Sequence, residues 1–155
     1  MAAALVLGAC HGGKGDGPVT PAQAQDRYFP DGLGELYLGL PLENFRAMRG
    51  GGETGGSDAI TFRIELKEDA PTPELAFVVY YFDVDIPGQP LYELIMGYPE
   101  GTNVAAIARD ALGPPNSGTE WRFVEDASFP IRVWIFQQKI VVAAEMEGTE
   151  WDPNQ

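Results

Sequence analysis

The sequence is poor in the residues that most often carry chemistry at neutral pH. Its 155 residues include 1 Cys and 1 His, which stand side by side as Cys10 and His11. The rest of the chain therefore has no intramolecular disulfide, no Ser-His-Asp or Cys-His nucleophile pair, and no zinc site built on Cys and His. Chemistry based on carboxylate, Tyr, Lys or Arg side chains remains available, as do metal sites with oxygen ligands.

Positive charge is also scarce. The chain has 10 Lys and Arg against 23 Asp and Glu, which gives a formal net charge of -13. A chain this acidic is repelled by phosphate backbones and by anionic lipids, which excludes nucleic acid as a partner and membrane binding through its own charge. Hydrophobic residues make up 45% of the sequence, which is enough for the core of one domain. We also expect no cofactor.

No long apolar run is present at the start of the chain. Residues 1–9 are apolar but fall short of the roughly 20 residues that a transmembrane helix needs. The next stretch, residues 10–27, is rich in Gly, Pro, Ala and Gln and predicts a flexible tether with a reach on the order of 20 Å. We expect a single folded domain over residues 28–151.

The four residues that end at the first residue of the tether carry a specific pattern. Leu7-Gly8-Ala9-Cys10 resembles the lipobox of bacterial lipoproteins, in which the peptide is cut before the Cys and the Cys is acylated. The resemblance implies that residues 1–9 are a signal peptide, truncated because no basic region precedes the apolar one. It also implies lipidation at Cys10, with palmitate as a typical chain, and attachment to the outer membrane or cell surface facing the periplasm or the exterior.

Hydrophobic periodicity predicts a helix and three strands, followed by a second helix and three more strands. Pro41 and Gly50 bound the first helix, residues 41–49, which we expect to turn Leu42, Phe45 and Met48 inward. The second helix covers residues 102–112, with Thr102 as its N-cap. The fold class is therefore α+β, an antiparallel sheet with two short helices in two tandem units, with strands at residues 60–67, 75–86, 91–98, 120–125, 131–137 and 140–147.

The second helix and its flanks carry a further resemblance, to the fold family of the β-lactamase-inhibitor protein and the small outer-membrane-assembly lipoproteins. The matching positions are Gly101, Thr102, Ile107, Leu112, Gly113 and Pro115. The first helix departs from the pattern, since Pro41 stands in place of the Thr. Over residues 28–147 the resemblance implies a non-catalytic protein that binds other proteins across a sheet face.

Three aromatic residues on adjoining predicted strands are candidates for such a contact: Trp121, Trp134 and Phe136. Trp134 and Phe136 share one strand face, while the opposite face of that strand is also apolar. An open aromatic face would be a partner site, whereas a core packed on both sides would explain the same pattern.

Two other patterns have a simpler explanation. Asp83, Asp85 and Glu93 flank one turn and could offer oxygen ligands to Ca²⁺, but the calcium-loop spacing is not met, so ordinary surface acids are favoured. The tetrapeptide Gly-Thr-Glu-Trp occurs at residues 118–121 and again at 148–151, and the different residues that follow each copy favour chance.

The sequence therefore predicts a membrane-anchored bacterial lipoprotein whose non-catalytic domain binds a protein partner in the cell envelope. One alternative is a module that binds carbohydrate or another small ligand. The other is a hydrolase that depends on carboxylates.

Overall fold

The computed structural model describes residues 18–49, 53–54 and 61–155. Its helices are α1 (Pro21–Ala24), α2 (Leu42–Arg49) and α3 (Val104–Leu112), with one 3₁₀ turn at Asp26–Tyr28. Its strands are β1 (Glu53–Thr54), β2 (Arg63–Asp69), β3 (Phe77–Asp83), β4 (Leu91–Gly97), β5 (Trp121–Phe123), β6 (Ile131–Phe136) and β7 (Lys139–Ala144). None of the helices in this part of the chain is long and apolar enough to cross a bilayer.

The strands form one antiparallel sheet in the order β1-β2-β3-β4-β7-β6-β5. Two three-stranded meanders, β2-β3-β4 and β5-β6-β7, meet at the centre, where β4 pairs with β7. One helix precedes each meander, so the order of helix and three strands occurs twice in the described residues, apart from the two-residue β1. The predicted α+β class with an antiparallel sheet and two short helices is confirmed.

Helix α2 packs on β2 and β3 through one aromatic and one charged side chain. The ring of Phe45 lies 4.7 Å from that of Tyr80 and 5.1 Å from that of Phe82, measured between centroids. The Arg49 guanidinium donates to Glu68 at 2.7 Å and to the carbonyl of Leu33 at 2.7 Å. These contacts fix α2 on one face of the sheet.

Helix α3 packs on the other half of the same face, where its residues Ile107, Ala108 and Leu112 lie beside Val133 and Ile140. Its ends are defined by local chemistry. The Asn103 side chain accepts a hydrogen bond from the backbone N–H of Ala106, and Gly113 ends the helix with φ 77°.

Two expectations about these helices were wrong. Thr102 is not the N-cap of α3, because Asn103 supplies the capping oxygen one residue later. Met48 does not turn inward but keeps 47% of its surface exposed. Leu42 and Phe45 already fill the inward face of α2, and Met48 lies in the last turn, where the helix side facing the sheet is taken by Arg49.

The folded part begins earlier than the predicted boundary at residue 28. Thr20 and Gln23 form a reciprocal capping box at the start of α1. The Gln25 side chain is buried, accepts from the backbone N–H of Leu38 at 2.8 Å, and donates to the carbonyl of Leu38 at 3.3 Å. The tether predicted over residues 10–27 is therefore replaced by packed structure from residue 20 onward, while residues 10–17 lie outside the described part.

Candidate functional site

Helices α2 and α3 pack on one face of the sheet, and within the described residues the opposite face carries no helix. Alternation along the strands decides which side chains point to this second face, because successive residues of a strand face opposite ways. Pairing across the strands then arranges them in rows. We call the surface that they form the helix-free face. Three rows of paired residues cross it. They are Lys67, Val79, Ile95, Val141 and Trp134, then Asp69, Phe77, Gly97, Lys139 and Phe136, and then Glu65, Tyr81, Glu93, Ala143 and Arg132.

The helix-free face combines an apolar centre with aromatic rings that lie under cations. Val79 and Val141 lie in the centre and are almost completely buried by their neighbours. Four basic groups lie over aromatic rings, at distances of 4.1–5.4 Å to the ring centroid: Arg63 on Tyr81, Arg132 on Trp134, Lys139 on Phe136, and Lys67 on Phe77. Trp, Tyr, Phe and Arg are the residues enriched at protein–protein contacts, so this face has the composition of an interface.

The structure separates the three aromatic residues proposed as partner contacts. Trp134 and Phe136 lie on the helix-free face, and Phe136 keeps 56% of its surface exposed. Trp121 lies on the other face, is 1% exposed, and donates its indole N–H to the carbonyl of Gly113 at 2.9 Å. Trp121 is therefore a core residue that a partner cannot reach, because its strand position pairs it with Val133 under α3.

A bulge in β4 brings a polar cluster to one end of the helix-free face. Tyr81 pairs with Glu93 but Phe82 pairs with Leu91, so Tyr92 is an extra residue in the strand. Tyr92 and Glu93 consequently lie on the same side of the sheet instead of alternating, and Arg63 of β2 is their neighbour.

Residues 148–155 cover this cluster and supply its hydrogen-bond partners. The carboxylate of Glu150 accepts from the Tyr92 hydroxyl at 2.7 Å and from the Arg63 guanidinium at 3.0 Å. The indole N–H of Trp151 donates to Glu93 at 2.5 Å, and its ring meets that of Trp134 edge to face at 5.2 Å. Each buried polar group in the cluster thus has a partner, as burial requires.

Glu93 is 5% exposed, and its burial raises the pKa of its carboxyl from 4.5 to about 7. The nearby Glu150 raises the pKa further, whereas the Trp151 hydrogen bond and Arg63 lower it. Burial also raises the pKa of the Tyr92 hydroxyl, and the hydrogen bond to Glu150 adds to that rise. Neutral and ionised Glu93 therefore coexist near pH 7.

The alternation of the strands does not predict this cluster, because the bulge breaks the period of two and the Glu150 and Trp151 side chains come from beyond the last strand. The repeated tetrapeptide was the available signal. The structure uses its copies differently: Glu120 binds Arg132 at 2.7 Å beside the buried Trp121, whereas Glu150 and Trp151 dock onto the sheet from outside.

The acids considered as calcium ligands have other partners. Asp83 accepts from the backbone N–H groups of Asp85 and Ile86, at 2.8 and 3.1 Å, and so stabilises the turn after β3. Glu93 lies under Trp151. Over residues 18–49, 53–54 and 61–155, no three Asp, Glu, His or Cys side chains are grouped so as to hold a metal ion.

A separate cleft lies on the helical side of the molecule, between α1, the following loop and α2. Its volume is about 920 Å³, and its lining includes Asp26, Asp31 and Glu35 beside Phe29 and Met48. The carbohydrate- or ligand-binding alternative was expected to use the aromatic residues Trp121, Trp134 and Phe136, and none of these three lines this cleft. Glu93, the acid with the raised pKa, does not line it.

No protein-family model, curated protein or solved structure matches this chain. Cys10 and the rest of the predicted lipobox lie outside the described residues.

Proposed function

We propose that this protein is a lipid-anchored bacterial envelope protein whose domain binds a protein partner, without catalysis, through the helix-free face. The observation that carries the proposal is the composition of that face. Trp134, Phe136, Tyr81 and Phe77 are only partly buried there, and each lies beside a basic group. Three of these basic groups, Arg63, Arg132 and Lys67, form ion pairs with carboxylates of the chain itself, so the aromatic rings are the groups offered to a partner.

The geometry gives less support to the hydrolase alternative. A carboxylate-dependent hydrolase needs an acid with a raised pKa that faces a substrate cleft. Glu93 has the raised pKa, but Trp151 covers it and only 5% of its surface is exposed. The anchor is proposed from the lipobox residues, and Cys10 stands ten residues before Thr20, which caps α1.

Native electrophoresis of detergent-solubilised cell envelopes tests the binding face. We expect the unmodified protein to migrate in an assembly larger than its own 16.8 kDa. Phe136→Asp should return it to the free form, because an aromatic ring that becomes buried in an interface contributes on the order of 2 kcal/mol or more to binding. Met48→Asp is the matched control, since Met48 has similar exposure on the helical side.

The control variant should stay in the assembly, and both variants should keep the melting temperature of the unmodified protein. An assembly that survives Phe136→Asp, or one that only Met48→Asp dissolves, would place the contact elsewhere.

A further inference from the structure

Residues 148–155 form a small unit that holds its own shape. The Thr149 hydroxyl donates to the carbonyl of Met146 at 2.8 Å, and Asp152 accepts from the backbone N–H of Gly148 at 2.9 Å. The backbone N–H of Asp152 donates to the carbonyl of Thr149 at 3.0 Å. Local hydrogen bonds therefore brace these residues in addition to their contacts with the sheet.

Its hydrogen bonds to the sheet run through two adjacent side chains. Within the described residues, Glu150 and Trp151 make the hydrogen bonds between this unit and the strands, and no backbone group of residues 148–155 pairs with a strand. A contact of this kind differs from an added β-strand, because specificity comes from side-chain chemistry instead of a main-chain ladder.

The cluster beneath is complementary to this pair of side chains. Arg63 and Tyr92 offer donors to a carboxylate, and Glu93 offers an acceptor to an indole N–H one residue further on. The Trp134 ring packs against the Trp151 ring, and the Arg132 guanidinium lies 5.7 Å from the centroid of the Trp151 ring. Each of the two side chains is thus recognised by charge or hydrogen bonding as well as by shape.

Building on the proposed function, we infer that this end of the helix-free face is a recognition site for a glutamate followed by a tryptophan. Glu150 and Trp151 occupy the site in competition with the same pair of side chains presented by the protein partner. Residues 148–155, which lie in this site, are the evidence for the chemistry of that partner, because they show which side chains the site binds. Displacing them leaves no strand unpaired, but it exposes Thr149, which is buried in the domain, so the incoming segment must also replace that packing.

An octapeptide with the sequence of residues 148–155, Gly-Thr-Glu-Trp-Asp-Pro-Asn-Gln, is the probe, carrying a fluorophore for polarisation measurements. The protein is the full chain, either unmodified or with Glu150→Gln and Trp151→Leu together. In the unmodified chain, residues 148–155 compete with the octapeptide at an effective concentration on the order of millimolar. The double variant lacks this competition, so we expect it to bind the octapeptide about tenfold or more tightly than the unmodified chain does. Octapeptides with Gln for Glu or Leu for Trp should bind weakly to both proteins.

Equal, weak binding of all peptides to a folded double variant would overturn the inference. Should the double variant not fold, the unmodified chain answers the question by NMR. The Trp151 indole N–H signal should shift toward that of an exposed tryptophan as millimolar octapeptide is added. The Trp121 signal, whose N–H is bonded to Gly113 in the core, should stay in place. An unmoved Trp151 signal at saturating peptide contradicts the inference.

Two other outcomes separate the competing explanations. A dimer in which Trp151 of one copy contacts Glu93 of another, seen by light scattering together with an isotope-filtered NMR contact, would overturn the inference in favour of segment exchange between copies. Because the peptide experiment uses the purified chain alone, its failure leaves the Phe136→Asp result on the proposed function intact. Likewise, if native electrophoresis shows no envelope assembly, the result of the peptide-binding experiment is unaffected.

Discussion

Glu93 shows how one residue links burial to the pH response of the domain. Its carboxyl has a pKa of about 7 in the folded protein and an ordinary value of 4.5, so the folded state binds this proton more tightly than the unfolded state does. The resulting stabilisation is complete below about pH 4.5 and is lost as the pH rises through 7, because above that pH the folded protein must hold a buried anion.

Replacing Glu93 with Gln should remove this part of the pH dependence. Gln keeps the shape and can still accept the Trp151 N–H through its carbonyl oxygen. Between pH 5 and pH 8 the free energy of unfolding of the unmodified protein should fall relative to the Glu93→Gln variant, by an amount on the order of 2 kcal/mol. Urea denaturation of both proteins at four pH values measures this difference. A difference that stays constant from pH 5 to 8 would show that Glu93 does not titrate in this range.

Single aromatic residues also mark the limit of prediction from sequence. Alternation correctly put Trp134 and Phe136 on one face and Ile131, Val133 and Ile135 on the other. It could not tell which face the helices cover. Trp121 was proposed with the other two although it lies opposite them, since a strand of three residues is too short for its own alternation to be informative.

At the level of elements, the attachment of α2 to the sheet depends on a partly buried ion pair. Arg49 binds Glu68 through two nitrogen atoms, and the same carboxylate accepts from the Tyr80 hydroxyl at 2.7 Å. Arg46, one turn earlier, is exposed. The two arginines are equivalent in sequence, as basic residues in the last turn of a helix.

Arg49→Ala should therefore lower the free energy of unfolding by about 2–3 kcal/mol, because it leaves the Glu68 carboxylate and the Leu33 carbonyl without a charged donor. Arg46→Ala, the matched control, should change it by less than about 0.5 kcal/mol. Urea denaturation monitored by circular dichroism measures both values. Equal losses in the two variants would mean that helix propensity, and not the contact to β2, sets the effect.

The order of elements was predictable because helices and strands have distinct periods and because Pro, Gly and Asn mark their ends. Irregular features were not predictable for the same reason. The bulge at Tyr92 violates the period of two, and α1 is a single turn whose stability comes from the capping box and from Gln25. The Gln25 side chain binds both the N–H and the carbonyl of Leu38, which is distant in sequence, and neither composition nor periodicity predicts such a contact.

At the scale of the whole molecule, the distribution of charge sets the helix-free face apart. The chain as a whole carries a charge of -13, yet Arg63, Lys67, Arg122, Arg132 and Lys139, half of its 10 basic residues, belong to the strands and point to this face. Four of these five basic groups form ion pairs with Glu150, Asp69, Glu145 and Glu120. The face therefore presents aromatic rings and paired charges to a partner, and not a net positive surface.

The proposed anchor makes a whole-molecule prediction of its own. Cys10→Ser should move the protein from the membrane fraction to the soluble fraction, because the acyl chains that contribute about 0.8 kcal/mol per buried CH₂ group are lost. Its circular dichroism spectrum should not change, since the described fold contacts begin at Thr20. Mass spectrometry of the unmodified protein should find acylated Cys10 as the first residue. Continued sedimentation of the Cys10→Ser variant with membranes would refute the anchor.

Site-specific photocrosslinking in the source cells tests the central claim, that the helix-free face is the binding surface. Benzoylphenylalanine at position 136 should form a covalent adduct with one protein of defined mass, whereas the same photoreactive residue at position 48, on the helical side with similar exposure, should form none. An adduct at position 48 with none at position 136 would contradict the account.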